Sequence, residues 1–153
     1  MRRLIAVCAA AGSVAVVLAI VSATGSAQAP GPQTIHLISV QKSSFFVQAR
    51  NAHKKRQLGG SVFGFSDADT FDDGTKGADQ GTCTVTSKRT AVCHIEAQTP
   101  NGTLSFVGNI NPNGKTGTLS VAGGTGSFAG ARGTLAFKDI TSKKTDVTVT
   151  LLG

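Results

Sequence analysis

The chain has 153 residues, with 15 Lys and Arg against 8 Asp and Glu, a formal charge of +7, and neither Trp nor Tyr. That length bounds it to one domain with a real core. The missing Trp and Tyr argue against a base-stacking nucleic-acid binder, and the abundance of Gly, Thr, Ser and Val suits β structure with small residues at turns.

The N-terminal segment "MRRLIAVCAAAGSVAVVLAIVSATGSAQAP" reads as a secretory signal peptide. Arg2 and Arg3 supply the basic end, Leu4 to Val21 the apolar run and "SATGSAQA" the small-residue cleavage zone. Cleavage after Ala27 fits, or as late as Ala29. A retained membrane anchor is the alternative, since the run is just long enough to span. Arg2-Arg3 leaves general and twin-arginine export both open. Residues 28–33 are expected to be a flexible N-terminus and 34–153 the folded domain. Cleavage removes Arg2, Arg3 and Cys8, leaving 13 Lys and Arg against 8 Asp and Glu, a charge of +5, and two cysteines. The protein is thus expected outside the cell or in its envelope, in a compartment that permits disulfides.

Short runs with period-2 alternation follow, and no stretch shows helical spacing. "TIHLISVQ" (34–41) puts Ile35 and Leu37 on one face and Ile38 and Val40 on the other. "SFFVQA" (44–49) continues it or pairs with it. "GSVFGF" (60–65), "GTCTVTS" (81–87) and "TAVCHIEA" (90–97) come next. "GTLSFVGNI" (102–110) aligns Leu104, Phe106 and Ile110. "GTLSVAG" (117–123) and "RGTLAFKDI" (132–140) precede the closing "KTDVTVTLL" (144–152), which aligns Val147, Val149 and Leu151. About eight strands separated by Gly, Asn and Asp suit a small closed barrel or a sandwich. "PNG" (100–102) and "NPNGK" (111–115) read as turns of an antiparallel meander. Closing that meander removes exposed edges, and a last strand reaching the C-terminal end suits the seal. Cys83 and Cys93 are equidistant from Lys88. If Lys88 is the tip of a hairpin, the two face each other across neighbouring strands, within disulfide reach. Two free buried thiols are the alternative.

"GGTGSFAGARG" (123–133) looks like a phosphate loop, but a strand follows it instead of a helix, and its third glycine comes one place late for a dinucleotide fingerprint. Gly123, Gly124, Gly126, Gly130 and Gly133 therefore read as a structural turn, with Phe128 plugging the core. "DADTFDDG" (67–74) fails the EF-hand spacing and reads as an acidic, solvated loop. "HKKR" (53–56) reads as a solvated basic loop. His36, His53 and His94 are scattered and give no metal set. No G-x-S-x-G elbow and no acid–base pair is recognisable. No cofactor is expected, and neither nucleic acid nor membrane, once the signal is cleaved, is expected as a partner.

"VAGGTGSFAGARGTLAF" (121–137) resembles the late strand–turn–strand signature of allene oxide cyclases, dirigent proteins and their bacterial relatives. "GGSVFGFSD" (59–67) resembles the cyclase segment that carries a Phe-Ser-Asn triplet. "KGADQGTC" (76–83) resembles the Gly-rich approach to a strand-borne cysteine. The resemblance spans roughly residues 58–153 in matching order and is weak over 34–57. It is also close to small exported actinobacterial proteins with an allene oxide cyclase barrel-like domain. It implies an eight-stranded antiparallel barrel with an apolar cavity. Such cyclases shape a substrate inside an apolar pocket and hold a water with polar side chains. Carried over position by position, Phe65 would line the pocket, Asp67 would stand where the family has its water-holding Asn, and Cys83 would match a pocket cysteine. The family's early Glu–Asn segment and pocket tyrosine have no counterpart here.

The expectation is an exported barrel that binds a small hydrophobic molecule, with Phe63, Phe65 and Phe106 as ligand-binding wall. If it is catalytic, it would act by isomerisation or cyclisation through confinement, with Asp67 as the catalytic polar group. A non-catalytic carrier and an envelope or interaction protein with a filled barrel are the alternatives. Plant relatives form trimers, and no interface is readable in this chain, so a homo-oligomer stays open.

Overall fold

The computed structural model describes residues 32–152 apart from Ala52 and Lys54. The expected signal segment 1–27 and Cys8 lie outside the described residues. Eight strands form a closed antiparallel barrel in strict sequence order: β1 (Gln33–Val47), β2 (Val62–Phe71), β3 (Lys76–Ser87), β4 (Thr90–Thr99), β5 (Gly102–Ile110), β6 (Thr116–Gly124), β7 (Arg132–Thr141) and β8 (Lys144–Leu152). β1 pairs with β8 as well as β2, from Gln33 opposite Leu151 to Val40 opposite Lys144, so the final strand does seal the barrel. Closure satisfies both edges of the sheet.

The two expected runs 34–41 and 44–49 are one strand. A bulge between Gln41 and Ser43 in the β1–β2 ladder joins them, because one extra residue bends a strand without ending it. The bulge also resets which side chains face inward. Ile35, Leu37, Ser39 and Gln41 line the cavity before it, and Ser44, Phe45 and Phe46 after it.

The acidic stretch is a correction. Residues 67–71 are not loop: β2 runs to Phe71, and only Asp72 to Thr75 turn. The period-2 alternation simply continues. Phe63, Phe65, Asp67, Asp69 and Phe71 share the parity that faces the interior, and all five line it. Burial of the aromatic neighbours holds the strand in register and carries two carboxyls inside with them.

The core is built from the inward face of every strand. Leu37, Val85, Leu104, Phe106, Leu119, Leu135, Val149 and Leu151 are buried. Each such side chain contributes about 1.5–3 kcal/mol by leaving water. Cys83 lies opposite Cys93 in the β3–β4 ladder, and the two form a disulfide. The turn between them is Lys88-Arg89, as the spacing implied.

The Gly-rich stretch is a barrel corner. β6 ends at Gly124, a single 3-10 turn spans Gly126–Phe128, and Phe128 is buried. Gly126 has φ +60°, and a Cβ there would sit 2.5 Å from the Asn101 carbonyl oxygen, so only glycine fits. Arg132 is exposed on the outer face of β7.

Candidate functional site

Eight strands normally enclose a space that side chains fill or that holds one small ligand. Here the interior holds a cavity of about 530 Å³. Glycines explain the space. A Cβ on Gly81 would meet the Phe65 ring at 2.5 Å, one on Gly77 the Phe71 ring at 2.9 Å, and one on Gly117 the Phe137 ring at 2.5 Å. Each phenylalanine ring therefore occupies the space over a glycine of an adjacent strand. The rings pave the wall instead of filling the centre.

One end of the barrel is plugged by the corner that carries Phe128. The opposite end is the mouth: the β5–β6 turn (Asn111, Pro112, Gly114) and the β7–β8 turn (Ser142, Lys143) line the cavity there, together with Phe46. Phe46 is 56% exposed, an apolar ring at an open rim.

The three phenylalanines expected to contact a ligand, Phe63, Phe65 and Phe106, all lie on the cavity wall, and so does Asp67. The sequence reading missed the polar residues grouped with Asp67: Ser39, Asp69 and Asp79, all of which line the same space. Parity could have found them. Asp69 is two places beyond Asp67, Ser39 two beyond Leu37, and Asp79 four before Cys83.

The polar group is deep. Ser39 is 2% and Asp69 1% exposed. Ser39 lies opposite Asp69 in the β1–β2 ladder, and Asp67 opposite Asp79 in the β2–β3 ladder. The Ser39 hydroxyl is 3.0 Å from Asp67 Oδ2 and 3.3 Å from Asp79 Oδ2. A hydroxyl has one proton, so it donates to only one carboxylate at a time. A second proton, held by the other carboxyl, lets that group donate to Ser39 Oγ and completes a chain of three. Four carboxyl oxygens remain buried without a protein partner: Asp67 Oδ1, Asp79 Oδ1 and both of Asp69.

The electrostatics follow from burial of like charges. Burial raises Asp67 above its ordinary value, with the Asp69 charge adding to it and the Ser39 hydrogen bond opposing it. Burial likewise raises Asp69. Asp79 is pushed up to about 8, by burial first, then by the charges of Asp69 and Asp67 and a hydrogen bond with Asp69, against the opposing bond from Ser39. Raised in this way, Asp79 favours its protonated form, and the Ser39 hydroxyl links Asp79 and Asp67 in one polar chain. No acid–base pair is recognisable in the sequence; the structure brings two carboxyls together on one hydroxyl.

The cysteine carried over by resemblance also lies in the wall. Cys83 lines the cavity, but its sulfur is bonded to Cys93 and is no free thiol. Histidines play no part inside. His36 is on the outer face, where Nδ1 meets Asp72 at 2.5 Å and Nε2 meets Asp146 at 3.0 Å. His53 is in the connection after β1, and among the described residues no three His, Cys, Asp or Glu side chains converge as a metal site would need.

No family model and no curated protein matches the sequence. The fold is shared with solved structures of low identity. Pyocyanin demethylase superposes with a TM-score of 0.66 at 20% identity, covering 78% of this chain and 99% of that one. An exo-specific intermolecular Diels-Alderase gives 0.62 at 14%, covering 80% and 98%. A pterocarpan synthase dirigent protein gives 0.56 at 21%, covering 82% and 99%. The expected likeness to the cyclase and dirigent barrels is thus met at the level of fold.

Proposed function

We propose that the chain is an exported binding barrel. It takes a small hydrophobic molecule into its cavity and, where it turns that molecule over, acts by confining it for an isomerisation or cyclisation. The carrying observation is the combination of a 530 Å³ apolar cavity with a buried polar chain on its wall. Phe63, Phe65 and Phe106 supply shape. Holding a flexible substrate in one reactive conformer removes a large part of a barrier without a nucleophile. The Asp79–Ser39–Asp67 chain adds what confinement lacks. Asp79 can give a proton to a developing anion and Asp67 can accept one, at a depth where Ser39 and Asp69 are almost fully buried. The structural neighbours support this reading: a Diels-Alderase and a pterocarpan synthase dirigent protein use the same architecture. Export is supported by the disulfide and by the sequence of residues 1–27, and among the described residues no helix is long and apolar enough to cross a membrane.

The test is a fluorescence titration with the neutral apolar probe N-phenyl-1-naphthylamine. One saturable site in the wild type, abolished by Ala97→Phe, supports the reading, because Ala97 lines the cavity and a ring there fills it. Absence of a saturable site, or binding untouched by Ala97→Phe, overturns it and leaves a structural barrel. The enzyme and carrier forms separate on the bound compound's fate: a carrier returns it unchanged. If Asp67→Ala leaves turnover unaltered, Asp67 has no catalytic part.

A further inference from the structure

The charge of the cavity wall restricts its occupant. Asp67, Asp69, Asp79 and Asp139 all line the space, and among the described lining residues Lys143 is the only basic one. Lys143 is exposed at the mouth, at the turn between β7 and β8. Asp139 is served by the Thr145 hydroxyl at 3.2 Å. Asp69 is 1% exposed, and neither of its oxygens meets a partner in good hydrogen-bond geometry; Ser39 and Asp79 are its polar neighbours. A buried carboxyl without a partner costs free energy that a complementary group in the cavity would recover. Beyond this polar group the wall is largely apolar, so electrostatic attraction there is little screened.

Resting on the cavity reading above, we propose that the natural occupant is an apolar organic cation, a hydrophobic amine or quaternary ammonium. Its charged nitrogen sits against Asp69 and Asp79, and its body against Phe63, Phe65 and Phe106. A metal ion does not suit the site, because the carboxyls do not converge on one point. A fatty-acid carboxylate does not suit it either, because it would bring a further negative charge among four aspartates. The aromatic wall fits a substituted ammonium, whose charge is attracted to ring faces. Arrival of the cation removes the reason for Asp79 to hold its proton. Asp79 then ionises, the proton passes to solvent, and the nitrogen is left between two carboxylates.

The experiment is isothermal titration calorimetry at pH 7 with three probes of one chain length: octyltrimethylammonium, 1-octanol and octanoate. The cation should bind at least about tenfold tighter than the alcohol, as a charge-assisted buried contact implies, and octanoate should bind weakest. Repeating the cation titration in buffers of different ionisation enthalpy should show proton release. In the double variant Asp69→Asn/Asp79→Asn the cation's advantage should fall to within about threefold while octanol affinity holds, reflecting loss of that charge-assisted contact alone. Octanol binding without a preference for the cation overturns the proposal and leaves the cavity reading intact. A preference that survives the double variant overturns the assignment to these residues. Failure of all three probes removes the cavity reading and the proposal together.

Discussion

Asp67 and Asp79 face each other across the β2–β3 ladder, and both reach the single hydroxyl of Ser39. One hydroxyl proton cannot serve both carboxylates at once, so protonation of one of them favours the pair. The barrel therefore stores an acid in an apolar cavity, and its stability is tied to pH.

The pH dependence has a definite sign. A carboxyl whose folded value lies above its unfolded value makes the native state bind the extra proton, so stability falls as pH rises between the two. Asp79 spans the window from 3.8 to about 8, and Asp67 and Asp69 are raised too. The midpoint of thermal unfolding should therefore be higher at pH 5 than at pH 9. Asp79→Asn should flatten that slope and raise the midpoint at pH 9. Calorimetric scans across pH check it, and a midpoint rising towards pH 9 would contradict the buried arrangement.

His36 sits between Asp72 and Asp146 on the outer surface, and the hydrogen bonds to Asp72 and then Asp146 raise its value above 6.5. Its contribution to stability is present in full below pH 6.5 and fades as pH rises through the folded value. An NMR titration should place the ring above 6.5, and Asp72→Asn or Asp146→Asn should each lower it. A ring that titrates at 6.5 or below would show that the two aspartates do not hold it.

The disulfide closes a short loop, with Cys83 and Cys93 ten residues apart. Cys83→Ala/Cys93→Ala should cost about 2–3 kcal/mol in urea unfolding and leave the barrel folded, since both positions are buried and apolar. An unchanged midpoint would show that the bridge does not form in solution.

Gly81 lies beneath the Phe65 ring of the cavity wall. A methyl there would lie 2.5 Å from the Phe65 ring and 2.9 Å from Ile95 Cγ1. Gly81→Ala should cost about 1–3 kcal/mol by overpacking. Phe65→Leu should relieve much of that, so the double variant is more stable than additivity predicts. Strict additivity would mean the ring does not lie on the glycine.

The barrel was legible because alternation, Asn-Gly turns and the symmetric cysteines all point to consecutive hairpins, and a strand that closes on the first follows from the last run. The interior carboxyls were harder. "SDADTFDDG" has the composition of a loop, and composition outweighed parity in the reading of Asp69. Only the aromatic residues on either side, Phe63, Phe65 and Phe71, fix that parity, and the bulge near Lys42 hides the continuity of β1. Ser39 and Asp79 are ordinary strand residues by sequence. They become a site because closure brings β1, β2 and β3 together at one depth, and no local pattern carries that.

The central claim is that the barrel is hollow and paved with rings. A crystal structure under xenon pressure tests it most directly, because xenon enters dry apolar cavities. The account predicts xenon bound inside the barrel between Phe65 and Phe106, with the Phe65 ring over Gly81. Side chains collapsed across the interior, with no xenon in it, would contradict the account.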